Sequence, residues 1–133
     1  MVYNGNMLTL SQKAIEIIEK NFPMLWGVEE LADMLGVTKY HLIRTFKSET
    51  GVTPGDFLEK TRIKYAKYLL AYRNYSIETT AHMVGYAGSN YFCKVFKRVE
   101  GETPAGFRKK KPLPFLSPED RMWLIETDKR SYT

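Results

Sequence analysis

The chain repeats itself once, with a period close to fifty residues, and no other feature limits its possible folds as strongly. Ala32, Met34 and Gly36 recur as Ala81, Met83 and Gly85, each 49 residues further on. Leu42 and Phe46-Lys47 recur as Phe92 and Phe96-Lys97, now 50 residues on. Gly51-Val52-Thr53-Pro54 and Phe57 recur as Gly101-Glu102-Thr103-Pro104 and Phe107 at the same offset of 50. A step from 49 to 50 places one extra residue in the second copy's turn and leaves the flanking segments in register. Two copies are too few for a solenoid, which needs at least about three stacked repeats. A chain of 133 residues is therefore read as a duplicated pair of small domains.

Each copy is helical by its periodicity. Thr9-Leu10-Ser11-Gln12 is a capping box, in which the Thr and Gln side chains satisfy each other's free backbone N–H. Leu10, Ala14, Ile17 and Ile18 then share a helix face, and Pro23 stops the helix after Phe22. Val28, Leu31, Ala32 and Leu35 follow at i, i+3, i+4, i+7 and end at Gly36, which suits a sharp left-handed turn. Thr38 caps a third helix with Leu42 and Phe46 facing inward. Helix, tight glycine turn and helix make a helix-turn-helix. Thr53-Pro54 opens a long fourth helix without breakers, and Asn74 and Ser76 separate it from the second copy. Past Lys109-Lys110-Lys111-Pro112, the run Ser117-Pro118-Glu119-Asp120 announces a short C-terminal helix with Met122, Trp123, Leu124 and Ile125.

The expected architecture is all-α: two helix-turn-helix subdomains of three-helix, homeodomain-like type, joined by a long linker helix. Its boundaries are a linker or tail over 1–8, the first subdomain over 9–52, the connecting helix over 53–73, the second subdomain over 74–111 and a C-terminal extension over 112–133. A hydrophobic fraction of 44% is enough to fill both cores.

Charge narrows the function. Net charge is +5, and residues 1–111 hold 17 Lys/Arg against 11 Asp/Glu, so the basic character belongs to the body of the chain. That favours a polyanionic partner. Cys93 is the single cysteine, which rules out an intramolecular disulfide and suits a reducing cytoplasm. No apolar run approaches the roughly 18–20 residues that span a bilayer, and Met1–Asn6 lacks the pattern of a secretion signal. His41 and His82 lie far apart with no acidic or cysteine cluster around them, so neither a metal nor another cofactor is expected. His41 is read as a partly buried packing residue matching Tyr91, Trp26 and Trp123 as packing anchors, and Cys93 as a neutral helix residue. No glycine-rich phosphate loop is present, and no catalytic constellation emerges.

The inward residues of the third helix leave Lys39, Tyr40, Ile43, Arg44 and Lys47 outward, the last four at i, i+3, i+4, i+7. The second copy places Ser89, Asn90, Cys93, Lys94 and Lys97 at matching positions, followed by Arg98. A helix in the major groove presents such a stripe to base edges and phosphates. Arg44 and Lys94 suit guanine, Asn90 suits adenine, and Ile43 suits a thymine methyl. Lys47, Lys97 and Arg98 are placed for phosphates. One basic stripe is usually just a solvated helix face. Two, at matching places after matching glycine turns, argue for DNA.

These residues resemble the AraC/XylS family of bacterial transcription regulators. The second copy carries Ala81, Gly85-Tyr86, Tyr91-Phe92, Phe96-Lys97, Gly101, Thr103-Pro104 and Phe107-Arg108 of its signature. The first adds Leu31-Ala32, His41-Leu42, Phe46-Lys47 and Gly51, and the connecting helix adds Arg62, Ala66 and Leu69-Leu70. The resemblance covers about residues 8–108. It implies seven helices, with the third and sixth reading adjacent major grooves of an operator. It also implies a transcription regulator, more often an activator, with RNA polymerase as a partner and often a sensor or receiver domain ahead of the DNA-binding part. The sequence departs from the family at Thr80, where an apolar residue is usual, at Tyr86 and Phe107, which exchange Phe and Tyr, and at Cys93 on the stripe. Those departures suggest that the first unit carries more of the specificity. Some DNA-repair proteins join this module to a four-cysteine methyl-accepting domain, which one cysteine cannot build. The competing reading is a helical protein-interaction module with an incidental basic surface.

Overall fold

The computed structural model describes residues 8–130. The expected tail over 1–8 lies outside the described residues apart from Leu8. Among the described residues there are eight helices and no strand: α1 (Leu10–Asn21), α2 (Val28–Leu35), α3 (Lys39–Thr50), α4 (Pro54–Tyr72), α5 (Ile77–Met83), α6 (Ser89–Glu100), α7 (Pro104–Lys109) and α8 (Pro118–Arg130). None is long and apolar enough to cross a membrane. The chain forms two compact units, and the boundary between them falls inside α4, after Ile63. At 19 residues, α4 is about 28 Å long.

In unit 1 the capping box at Thr9 and Gln12 is formed from both sides and starts α1. α1 packs on α2 and α3, and α2 packs on α3. The core comprises Ala14, Ile18, Phe22, Leu31, Leu42, Phe46 and Ile63, all essentially inaccessible. Gly36 ends α2 at φ 70°, a left-handed conformation that costs any residue with a Cβ about 1 kcal/mol or more. Thr38 then caps α3 by accepting from the His41 amide at 3.1 Å. Ser11 donates to the Glu49 carboxylate, which ties α1 to the end of α3.

Unit 2 is built from the end of α4 and from α5, α6, α7 and α8. Its core centres on Leu69, Ala81, Val84, Phe92, Val95 and Phe96. The duplication is visible in ring geometry. Phe46 meets Phe57 edge-on at 5.8 Å and 65°, and Phe96 meets Phe107 edge-on at 5.7 Å and 69°. The extra residue of the second copy falls between Gly85 and the α6 cap, Gly88, where unit 1 goes from Gly36 to Thr38.

The C-terminal helix is longer than the short one expected, at 13 residues, and it packs on its own unit. Asp120 is buried at its first turn and accepts from the Tyr65 hydroxyl at 2.7 Å and the Tyr68 hydroxyl at 2.8 Å. Asp128, two turns on, accepts from Arg73 and Tyr75. Between them Leu124 is buried, and Trp123 tilts against the Tyr65 ring at 4.7 Å.

Candidate nucleic-acid interface

A helix can read DNA only if its exposed face is held by a rigid body behind it. In unit 1 that anchor is Leu42 and Phe46, both fully buried, and in unit 2 it is Phe92, Val95 and Phe96. The helix period then fixes which side chains face outward. On α3, Lys39, Tyr40, Arg44 and Lys47 are exposed, Tyr40 to 74%, while Ile43 is half-buried. On α6, Asn90, Lys94, Lys97 and Arg98 are exposed, and Ser89 and Cys93 are half-buried. Each unit thus assembles its own half of the expected stripe on one helix.

A carboxylate at the start of α6 was not anticipated. Gly88 offers no side-chain cap to α6. Instead Glu78 of α5 reaches across, accepting from the Ser89 amide at 3.2 Å and contacting His82 Nε2 at 3.1 Å. Its pKa is lowered, first by the hydrogen bond from the Ser89 side chain, with burial opposing and His82 assisting. Both the amide and the hydroxyl of Ser89 are thereby engaged within the chain. The sequence did carry a signal: an uncapped Gly-Ser helix start calls for a donated acceptor, and Glu78 repeats Glu29 at the offset of 49.

Unit 1 shows a related polarity. Beside α3 lies a concavity of about 650 Å³ whose walls carry Trp26, Glu29, Glu30 and Asp33 together with Lys39 and Ile43. Carboxylates therefore flank the first turns of α3 and α6, and Lys47, Lys97 and Arg98 stand toward the far ends. The carboxylates repel a polyanion, and the basic residues at the far end attract one.

Two expectations need correction. His41 is exposed, not partly buried. Position 41 lies 100° around the helix from Leu42, and Val37 stands where unit 2 has Tyr86, so no ring is there to lean on. Its counterpart Tyr91 does find that ring, edge-on to Tyr86 at 5.9 Å, yet is itself 60% exposed. Trp26 is 91% exposed and anchors nothing. Its neighbour Leu25 takes the buried place, and Arg62 donates to the carbonyls of Phe22 and Leu25, fixing the turn so that the indole points away. Arg108 does the same work in unit 2 on the carbonyls of Leu70 and Arg73.

Cys93 is a free, half-buried thiol on α6. Burial first, and then the Glu78 charge, push its pKa up rather than down. Thr80 is fully buried, and its hydroxyl has no hydrogen-bond partner among the described residues. Those residues contain no group of three or more His, Cys, Asp or Glu that could hold a metal ion.

Comparison with known proteins converges on one family. Residues 31–110 match the family model described as a helix-turn-helix domain. The chain is 40% identical over 93 residues to the bifunctional transcriptional activator/DNA repair enzyme AdaA of Bacillus subtilis (strain 168), covering 70% of this chain and 44% of that protein. It is 30% identical over 94 residues to the transcriptional activator RhaS of Yersinia pestis (strain Pestoides F), covering 71% of this chain and 34% of that one. The chain thus spans less than half the length of these curated relatives. Among solved structures, the C-terminal domain of AraT, a response regulator from Geobacillus stearothermophilus, superposes with a TM-score of 0.75 at 28% identity, covering 85% of this chain and 94% of that one. The DNA-binding domain of AdpA, solved with a target DNA, shares the fold with a TM-score of 0.72 at 24% identity, covering 77% and 93%.

Proposed function

The chain belongs to the AraC-type family of helix-turn-helix DNA-binding domains, and from that premise we propose that its α3 and α6 stripes read double-stranded operator DNA in adjacent major grooves. The observation that carries the reading is the duplicated stripe, presented twice on helices anchored by a buried phenylalanine at the same place, Phe46 and Phe96. Arg44, Asn90 and Lys94 meet base edges, with Tyr40, Ile43 and Cys93 in apolar contact. Lys39, Lys47, Lys97 and Arg98 hold phosphates. Adjacent grooves on one face lie about 34 Å apart. Unit 1 carries the larger share of specificity, because Ser89 is engaged by Glu78 and Cys93 is a poor hydrogen-bonding reader.

The same reading makes the chain the DNA-binding part of a transcription regulator, an activator that touches RNA polymerase. Two relatives that are named as activators support this, as does their greater length. A sensor or receiver domain ahead of the module fits the likeness to the C-terminal domain of a response regulator. DNA binding is the whole of the proposed activity, and the repair chemistry of AdaA is not carried over.

Fluorescence anisotropy with promoter fragments across a salt series tests the reading. With about four phosphates neutralised, affinity should fall on the order of a hundredfold between 50 and 200 mM salt. No affinity even at low salt would leave a protein-interaction module instead.

A further inference from the structure

The side of α8 turned toward its own unit carries Asp120, Leu124 and Thr127. The opposite side carries Pro118, Met122, Ile125 and Lys129, all exposed, spaced by four, three and four residues. That is the rhythm of a coiled-coil seam, with Met122 at an a position and Ile125 at a d position. Met122 is 53% exposed and Ile125 41%. Arg121 and Glu126 flank the seam on its two edges, and both are exposed. The strap before α8 adds Leu113 and Phe115, exposed to 80% and 84%, which line a groove of about 480 Å³ whose wall includes Ile125. Contiguous apolar surface of this kind marks an interaction site more often than bare surface.

We propose that this face docks a second copy of the chain, α8 beside α8 in parallel around a two-fold axis, with Leu113 and Phe115 widening the contact. Charge selects both the occupant and the direction. In a parallel pair, the residue just before an a layer faces the residue five positions on in the other helix. Arg121 therefore meets Glu126 of the second copy, and symmetry makes that pair twice. An antiparallel pair sets arginine against arginine and glutamate against glutamate. Lys129 falls in the seam's last layer, where a lysine weakens the pair but fixes its register, with its stem lying along the apolar surface. A 13-residue helix supplies few layers, so the dimer is weak and reversible. This surface lies on unit 2 and does not depend on the DNA-reading assignment.

Sedimentation equilibrium of the 133-residue chain, from about 10 µM to about 1 mM, tests it. The wild type should show a reversible monomer–dimer equilibrium, and Ile125→Asp should stay monomeric throughout. Arg121→Glu or Glu126→Arg alone should weaken the dimer about tenfold, and the two together should restore it to within about twofold. These positions are exposed, so the fold survives, which far-UV circular dichroism verifies. A wild type that stays monomeric throughout would assign the face to another partner and overturn the proposal. A dimer indifferent to the charge changes, or weakened further by the double exchange, would overturn it as well.

Discussion

Thr80 and Leu31 hold equivalent places in the two units, and both are buried. The leucine fills its core, whereas the threonine buries a hydroxyl that finds no partner among the described residues. A buried unsatisfied hydroxyl costs about 1–3 kcal/mol. Thr80→Val keeps the shape and removes the polar atom, so it should stabilise the chain by about 1 kcal/mol in chemical denaturation. An unchanged or lower denaturation midpoint would show that the hydroxyl is satisfied in solution. This site was legible in the sequence because the duplication supplies its own control, with Leu31 in the same register. Trp26 and His41 were not legible. Neither periodicity nor composition reveals that Arg62 pins the carbonyls of Phe22 and Leu25 and turns the Trp26 indole outward, or that Val37 leaves no ring beside His41.

At the scale of elements, α8 is held to α4 by carboxylates. Burial raises the Asp120 pKa, but the Tyr65 and Tyr68 hydroxyls and the Lys64 charge outweigh it, and the carboxyl ends below its ordinary value. Asp128 is lowered as well, chiefly by its hydrogen bond from Arg73. Burial, together with the same bond to Asp120, pushes the Tyr68 hydroxyl well above the usual tyrosine range. Because both folded carboxyls titrate below the unfolded value near 3.9, their stabilisation is complete above about that pH and is lost as pH falls through the folded pKa values. Acid titration should therefore loosen α8 below about pH 4. Trp123 reports it, since its ring lies on Tyr65 while Trp26 is already in solvent. Asp120→Ala should cost about 2–4 kcal/mol, because two tyrosine hydroxyls lose their acceptor. A Trp123 emission that stays unchanged down to pH 2 would contradict the clasp. The start of α8 could be read from Ser117-Pro118, which caps it as expected. What it packs on could not, because its hydrogen bonds join residues 52 and 55 positions apart, a pairing without any sequence period. Apart from His41, the inward and outward faces of α3 and α6 were legible, being set by a 3.6-residue period and marked twice.

The whole molecule combines a repeated scaffold with two different proposed reading surfaces: Tyr40, Ile43 and Arg44 on one helix, Asn90, Cys93 and Lys94 on the other. Its net charge of +5 draws it to DNA without choosing a sequence. On the proposed reading, choice comes from the stripes, and their inequality predicts an asymmetric site. Selection of bound DNA from a random pool, at protein concentrations too low for self-association, tests this most directly when run on the wild type, Arg44→Ala and Lys94→Ala. The account expects one site with two unlike halves about one helical turn apart. Arg44→Ala should relax a position in one half and Lys94→Ala a position in the other, each by about 1–3 kcal/mol of discrimination, with the larger loss of affinity from Arg44→Ala. A palindromic site, no enrichment at all, or two variants that relax the same positions would contradict it.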